Sequence, residues 1–92
     1  MKPRYRLQDG RPILVDPTAA KAAFAGALGR RLKHWRQLKR VGAADLAARI
    51  GVSRNTVWNI ERGNVVPDLH TTLQFCREID VPIEALLSEV LA

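Results

Sequence analysis

Cysteine occurs once in these 92 residues, at Cys76, so the chain cannot staple itself with an internal disulfide. That excludes a disulfide-framed secreted scaffold and fits a reducing compartment. No apolar run approaches the roughly 18 residues that a bilayer span requires. Charges recur along the first residues up to Arg11, and Pro12 follows, so the apolar centre of a secretory leader is missing as well. A cytoplasmic protein with no membrane partner is the expectation. Aromatic residues make up only 5%, which leaves Leu, Ile, Val and Ala to build the interior. A chain of this length has room for one such core and no second domain core. His34 and His70 are isolated, with no Cys or acidic neighbours at ligand spacing, so no metal is expected. Ser53 and Ser88 lack an adjacent base, and no glycine-rich phosphate loop is present. Neither an enzyme nor a cofactor is indicated.

Acidic residues are scarce in one half of the chain. Residues 1–40 carry eleven Lys and Arg against Asp9 and Asp16, whereas residues 41–92 carry four Arg against seven acids. The overall excess is +6. A basic end of this kind favours an anionic partner, and the mildly acidic end favours protein contacts. The densest run is Arg30, Arg31, Lys33, Arg36, Lys39 and Arg40. Such runs are usually solvated faces, so its approach to phosphate depends on what lies beside it.

Residues 1–15 differ from the rest. Asp9-Gly10 between Tyr5-Arg6-Leu7 and Ile13-Leu14-Val15 is a two-residue hairpin signal, with Pro12 confined to an edge. A lone hairpin is marginal in water. Three fates remain open for it: packing on the body, pairing with the same arm of a second subunit, or ordering only on DNA. As a basic arm, with Lys2, Arg4, Arg6 and Arg11, it is also suited to a minor groove. Asp16-Pro17 then starts a helix, Asp as cap and Pro at the first turn. Ala20, Phe24, Leu28, Leu32 and Trp35 mark its apolar face to about Arg40, and Gly26 with Gly29 is a candidate break.

Residues 41–63, VGAADLAARIGVSRNTVWNIERG, hold the most information. A short helix with Leu46, Ala47 and Ile50 inward ends at Gly51, and Ser53 caps a second helix with Val57, Ile60 and Glu61 inward. Two short helices joined by a Gly-containing turn form a helix-turn-helix. The second helix would show Arg54, Asn55 and Asn59 outward, which suits a DNA major groove. Arg matches the O6/N7 edge of guanine and Asn the N6/N7 edge of adenine. Beyond it, Leu69, Leu73, Phe75, Cys76 and Ile79 form a fourth apolar segment. After Val81-Pro82, Ile83, Leu86, Leu87, Val90 and Leu91 form a fifth.

LGRRLKHWR, DLAARIGVSRNTVWNIERG, the following Pro67 and IDVPIEALL together resemble the Xre-like family of lambdoid phage repressor domains, the Cro/C1 type. The resemblance covers roughly Leu28 to Leu87. It implies an all-α, five-helix domain over residues 25–92, preceded by an extension at 1–24 able to form a small β hairpin. It further implies a double-stranded DNA operator as ligand and a homodimer as the binding species. By position it assigns base reading to Arg54, Asn55 and Asn59, and a phosphate or thymine-methyl contact to Thr56. Trp58 falls between two readings, a contact to sugar or thymine methyl and a half-buried aromatic on the preceding helix. Ser53, Arg62, Asn64, Arg40 and Arg36 fall where phosphate contacts are expected. Arg36 and Glu61 match a buried ion pair, and two separate surface charges are the plainer alternative.

The chain departs from the family pattern at two places. Gly42 and Ala43 stand where relatives carry a Ser or Thr cap followed by a Gln, so a phosphate grip is lost that the basic N-terminal region is placed to replace. Thr72 stands where relatives carry a core Leu, leaving Leu73 and Phe75 to compensate. Leu86, Leu87, Val90 and Leu91 exceed the needs of one small core and suggest a symmetric dimer through the last helix, the plainer alternative being that Leu86 and Leu87 close the core and only Val90 and Leu91 are left to cover. The function expected is a homodimeric repressor of a palindromic operator. Two alternatives stay open: an antitoxin that binds a toxin and represses its own operon, and an activating controller that touches polymerase through Asp45.

Overall fold

The computed structural model describes the backbone of residues 4–8, 11–15 and 17–92, and the side chains from Pro17 onward. Strands β1 (Arg4–Gln8) and β2 (Arg11–Val15) pair antiparallel, Arg4 opposite Val15 and Gln8 opposite Arg11. The expected turn at Asp9-Gly10 and the expected cap at Asp16 lie outside the described residues. Five helices follow: α1 (Pro17–Leu38), α2 (Ala43–Ile50), α3 (Arg54–Glu61), α4 (Leu69–Glu78) and α5 (Ile83–Leu91). They enclose one core, whose fully buried members are Leu32, Leu46, Val57, Ile60, Phe75, Ile79 and Leu86.

α1 does not break at Gly26 and Gly29; it continues for 22 residues. The glycines serve a crossing instead. A Cβ on Gly29 would lie 2.3 Å from the carbonyl oxygen of Ile60 and 2.7 Å from that of Glu61. One on Gly63 would lie 2.8 Å from the Cα of Gly26. Backbone therefore meets backbone where α1 passes the end of α3, and the gain in close packing offsets the helix propensity lost at glycine. Ala20, expected on the buried face, is exposed, and burial along α1 begins only at Phe24 and Ala25, beside this crossing.

Each of the first four helices ends in the same way. An N–H two or three residues past the helix donates back to a carbonyl five residues earlier: Val41 to Arg36, Val52 to Ala47, Asn64 to Asn59 and Val81 to Cys76, at 2.9–3.1 Å. The residue just before each donor takes positive φ, Gly51 and Gly63 at 75° and 76°, and Arg40 and Asp80 at 59° and 54°. This left-handed closure satisfies carbonyls that the helix leaves unpaired.

α4 corrects the sequence expectation. Its buried positions are Thr72, Phe75 and Cys76, with Ile79 just beyond, whereas Leu69 and Leu73 are 68% and 44% exposed. Spacings of three, four and seven residues define that inner stripe, and Leu69 and Leu73 fall to one side of it. Phe75 is fully buried, whereas Leu73 points away and does not compensate for Thr72. The Thr72 hydroxyl is satisfied inside by donating to the Asp68 carbonyl at 2.8 Å.

Candidate nucleic-acid interface

α2 and α3 are joined by Gly51, Val52 and Ser53. Ser53 takes extended φ and ψ, and its Oγ accepts from the Thr56 N–H at 3.1 Å, so the hydroxyl caps α3. The Ser53 and Thr56 hydroxyls also lie 2.9 Å apart, which leaves the Thr56 methyl as its free end. α2 starts at Gly42 without a side-chain cap, and Ala43 packs against the core. Nothing at these two positions reaches outward to an anion.

α3 has two unlike faces. Val57, Ile60 and Glu61 are buried, whereas Arg54, Asn55 and Asn59 are exposed. The inner face is fixed to α1 by Arg36 and Glu61. Arg36 Nε donates to Glu61 Oε2 at 2.6 Å and Nη2 to Oε1 at 2.9 Å, a bidentate pair. Its Nη1 donates to the Val41 carbonyl at 2.9 Å, holding the end of α1 as well. Both side chains are largely removed from water, 11% and 3% exposed. The Glu61 carboxylate raises the Arg36 pKa above its ordinary value, against the opposing effect of burial. All three guanidinium nitrogens are thus engaged inside the protein, which limits what remains for phosphate.

The outer face is also ordered. Asn64 Nδ2 donates to Asn59 Oδ1 at 3.2 Å, linking the turn after α3 to its exposed edge. Trp58 is half-buried, with the guanidinium carbons of Arg54 and Arg62 at 4.8 and 5.8 Å from its ring centroid. The four-residue spacing Arg54, Trp58, Arg62 was visible in the sequence, but the stacking was not inferred from it. Arg40 is exposed at the end of α1. In the basic run nearby, Arg31 pairs with Glu89 of α5 at 3.3 Å, and the same carboxylate accepts from the Trp35 indole. Arg30, Lys33 and Lys39 stay exposed.

Leu86 is fully buried within the single chain, so it cannot supply a surface to a second subunit as the sequence suggested. It closes the core. Leu87 and Val90 are half-buried, and Leu91 is 72% exposed. Cys76 is buried, which pushes its thiol pKa up. Among the described residues no group of His, Cys, Asp and Glu could hold a metal ion. Among them no helix is long and apolar enough to cross a membrane.

Comparison with known proteins agrees with this geometry. The family model described as a helix-turn-helix domain matches residues 27–89. An uncharacterised HTH-type transcriptional regulator of Methanocaldococcus jannaschii is 37% identical over 54 residues, 59% of this chain and 82% of the relative. Among solved structures, the clp gene regulator ClgR of Corynebacterium glutamicum superposes with a TM-score of 0.72 at 25% identity, over 74% of this chain and 72% of that one. The restriction-modification controller protein C.AhdI of Aeromonas hydrophila gives 0.66 at 28% identity, over 70% of this chain and 97% of that one. The family match spans most of the chain, and the chain belongs to the Xre-like helix-turn-helix family of DNA-binding transcriptional regulators.

Proposed function

We propose that two copies of this chain bind a short palindromic operator and repress transcription from it. The observation that carries the reading is the exposed edge of α3, with Arg54, Asn55 and Asn59 outward on a helix locked from behind by Arg36 and Glu61. Arg54 is suited to a guanine edge and the two asparagines to adenine, each good bidentate contact discriminating by about 1–3 kcal/mol. The Thr56 methyl suits a thymine methyl. Ser53 at the cap of α3, Arg62 and Asn64 past its end, and exposed Arg40 serve as phosphate partners in this reading, setting register and salt dependence. Arg36 acts chiefly through the helix it fixes. Leu91, with Leu87 and Val90 beside it, forms the surface through which a second copy would place two recognition helices about 34–36 Å apart. Repression follows from occupying DNA that polymerase needs.

The test is selection of bound fragments from random duplex DNA at about 0.15 M salt, where weak phosphate contacts are screened. Wild type is compared with Arg54→Ala/Asn55→Ala. A palindromic consensus that the double variant loses is expected; weak, sequence-blind binding by both proteins would overturn the reading. The likeness to a restriction-modification controller, together with exposed Asp45 in the first turn of α2, favours a second reading in which the bound protein contacts polymerase and activates. A reporter with the selected site upstream of a promoter separates them: higher expression means activation.

A further inference from the structure

Arg54, Trp58 and Arg62 form a row at four-residue spacing along one side of α3 and its C-terminal turn. The indole ring lies beneath both guanidinium carbons, 4.8 Å from that of Arg54 and 5.8 Å from that of Arg62. Among the described residues neither arginine has a carboxylate partner. We infer that Trp58 is a positioning residue for DNA recognition, presenting the Arg54 fork to a base edge and Arg62 to a phosphate instead of reading a base itself. The inference rests on the base-reading role of Arg54 proposed above.

The chemistry of the contact explains why a ring stands here. A cation over an aromatic face is held through the flat side of the guanidinium, whereas its five N–H donors lie in the plane and stay free. A carboxylate would fix Arg54 equally well but would consume those donors, as Glu61 does to Arg36. It would also set a negative charge beside DNA phosphates. An unstacked arginine, in contrast, must give up its side-chain freedom at the moment of binding. The half-buried indole is itself held by the helix, so it orders the arginine in advance and leaves its recognition edge unspent. One ring serves two cations, which couples base contact to phosphate contact.

The experiment uses the full chain, the selected operator, and duplexes carrying each other base at the pair that Arg54 reads. Arg54→Ala should abolish the preference at that pair. Trp58→Leu, which keeps apolar bulk but removes the ring face, should lower the preference there by about two- to five-fold. Trp58→Phe should retain most of it, and it carries the same test with less risk to folding. In an Arg54→Ala background, Trp58→Leu should leave the remaining preference unchanged while still weakening affinity through Arg62. A Trp58→Leu protein that loses affinity with its preference intact would overturn the inference. So would an equal loss of preference with and without Arg54, because the indole would then read the base directly. An Arg54→Ala protein with full preference would instead remove the base-reading role of Arg54, and this inference with it.

Discussion

At the scale of single residues, the pair Arg36–Glu61 has the greatest consequence. Glu61 is buried, and it holds two of the three nitrogens of an equally buried guanidinium. Taking one partner away strands the other charge, at a cost of about 3–5 kcal/mol. Glu61→Leu should therefore lose most of its stability in urea unfolding, and Arg36→Met/Glu61→Leu should regain much of it. Additive losses in the double variant would mean that the pair does not act as a unit. Asp68 offers a pH-dependent counterpart. The Thr71 N–H donates to its carboxylate at 2.7 Å, holding the Asp68 pKa below its ordinary 3.8. A lowered folded pKa means that the cap contributes fully above the unfolded value and is lost as pH falls through the folded one. Asp68→Asn keeps the acceptor and removes the titration. Its acid-unfolding curve should be shallower than wild type below about pH 4, and an unchanged slope would contradict the role. The pair was partly legible, because the family resemblance already matched Arg36 and Glu61 to a buried ion pair.

At the scale of helices, local chemistry was legible and long-range contact was not. Ser53, Gly51 and the three- and four-residue spacing of Leu46, Ile50, Val57 and Ile60 act within a few residues, so α2 and α3 could be read directly. Gly29 looked like a weakness in α1 because the carbonyls that need its space belong to Ile60 and Glu61, some thirty residues on. Leu69 and Leu73 looked like core because apolar residues on a short helix do not declare which side faces inward; the Phe75 ring decides it. The crossing gives a paired prediction. Gly29→Ala drives a Cβ into backbone that cannot move aside and should cost about 1–3 kcal/mol or more. Gly26→Ala meets only the mobile Arg30 side chain at 3.1 Å. It should be neutral or stabilising by up to about 1 kcal/mol, from helix propensity. Thermal unfolding of the two variants checks this, and equal destabilisation would argue against the crossing.

At the scale of the whole molecule, charge and shape serve one surface. The basic half of the chain supplies α1, and the acidic residues of α4 and α5 sit partly in bridges such as Arg49–Glu78 and Arg31–Glu89. The recognition edge is left polar and cationic between them. The proposed dimer surface was the least legible feature. Leu86 was open to either role, core or dimer surface, and lies at the centre of the core; only Leu91 among the four suggested residues is broadly exposed. The most direct test of the central claim is dimethyl sulfate protection of the selected operator, because that reagent methylates guanine at the N7 that the Arg54 fork would occupy. The account predicts protected guanines in two clusters about one helical turn apart, with one guanine in each cluster exposed again in Arg54→Ala. Guanines that remain fully reactive under bound protein, or protection that Arg54→Ala leaves untouched, would contradict it.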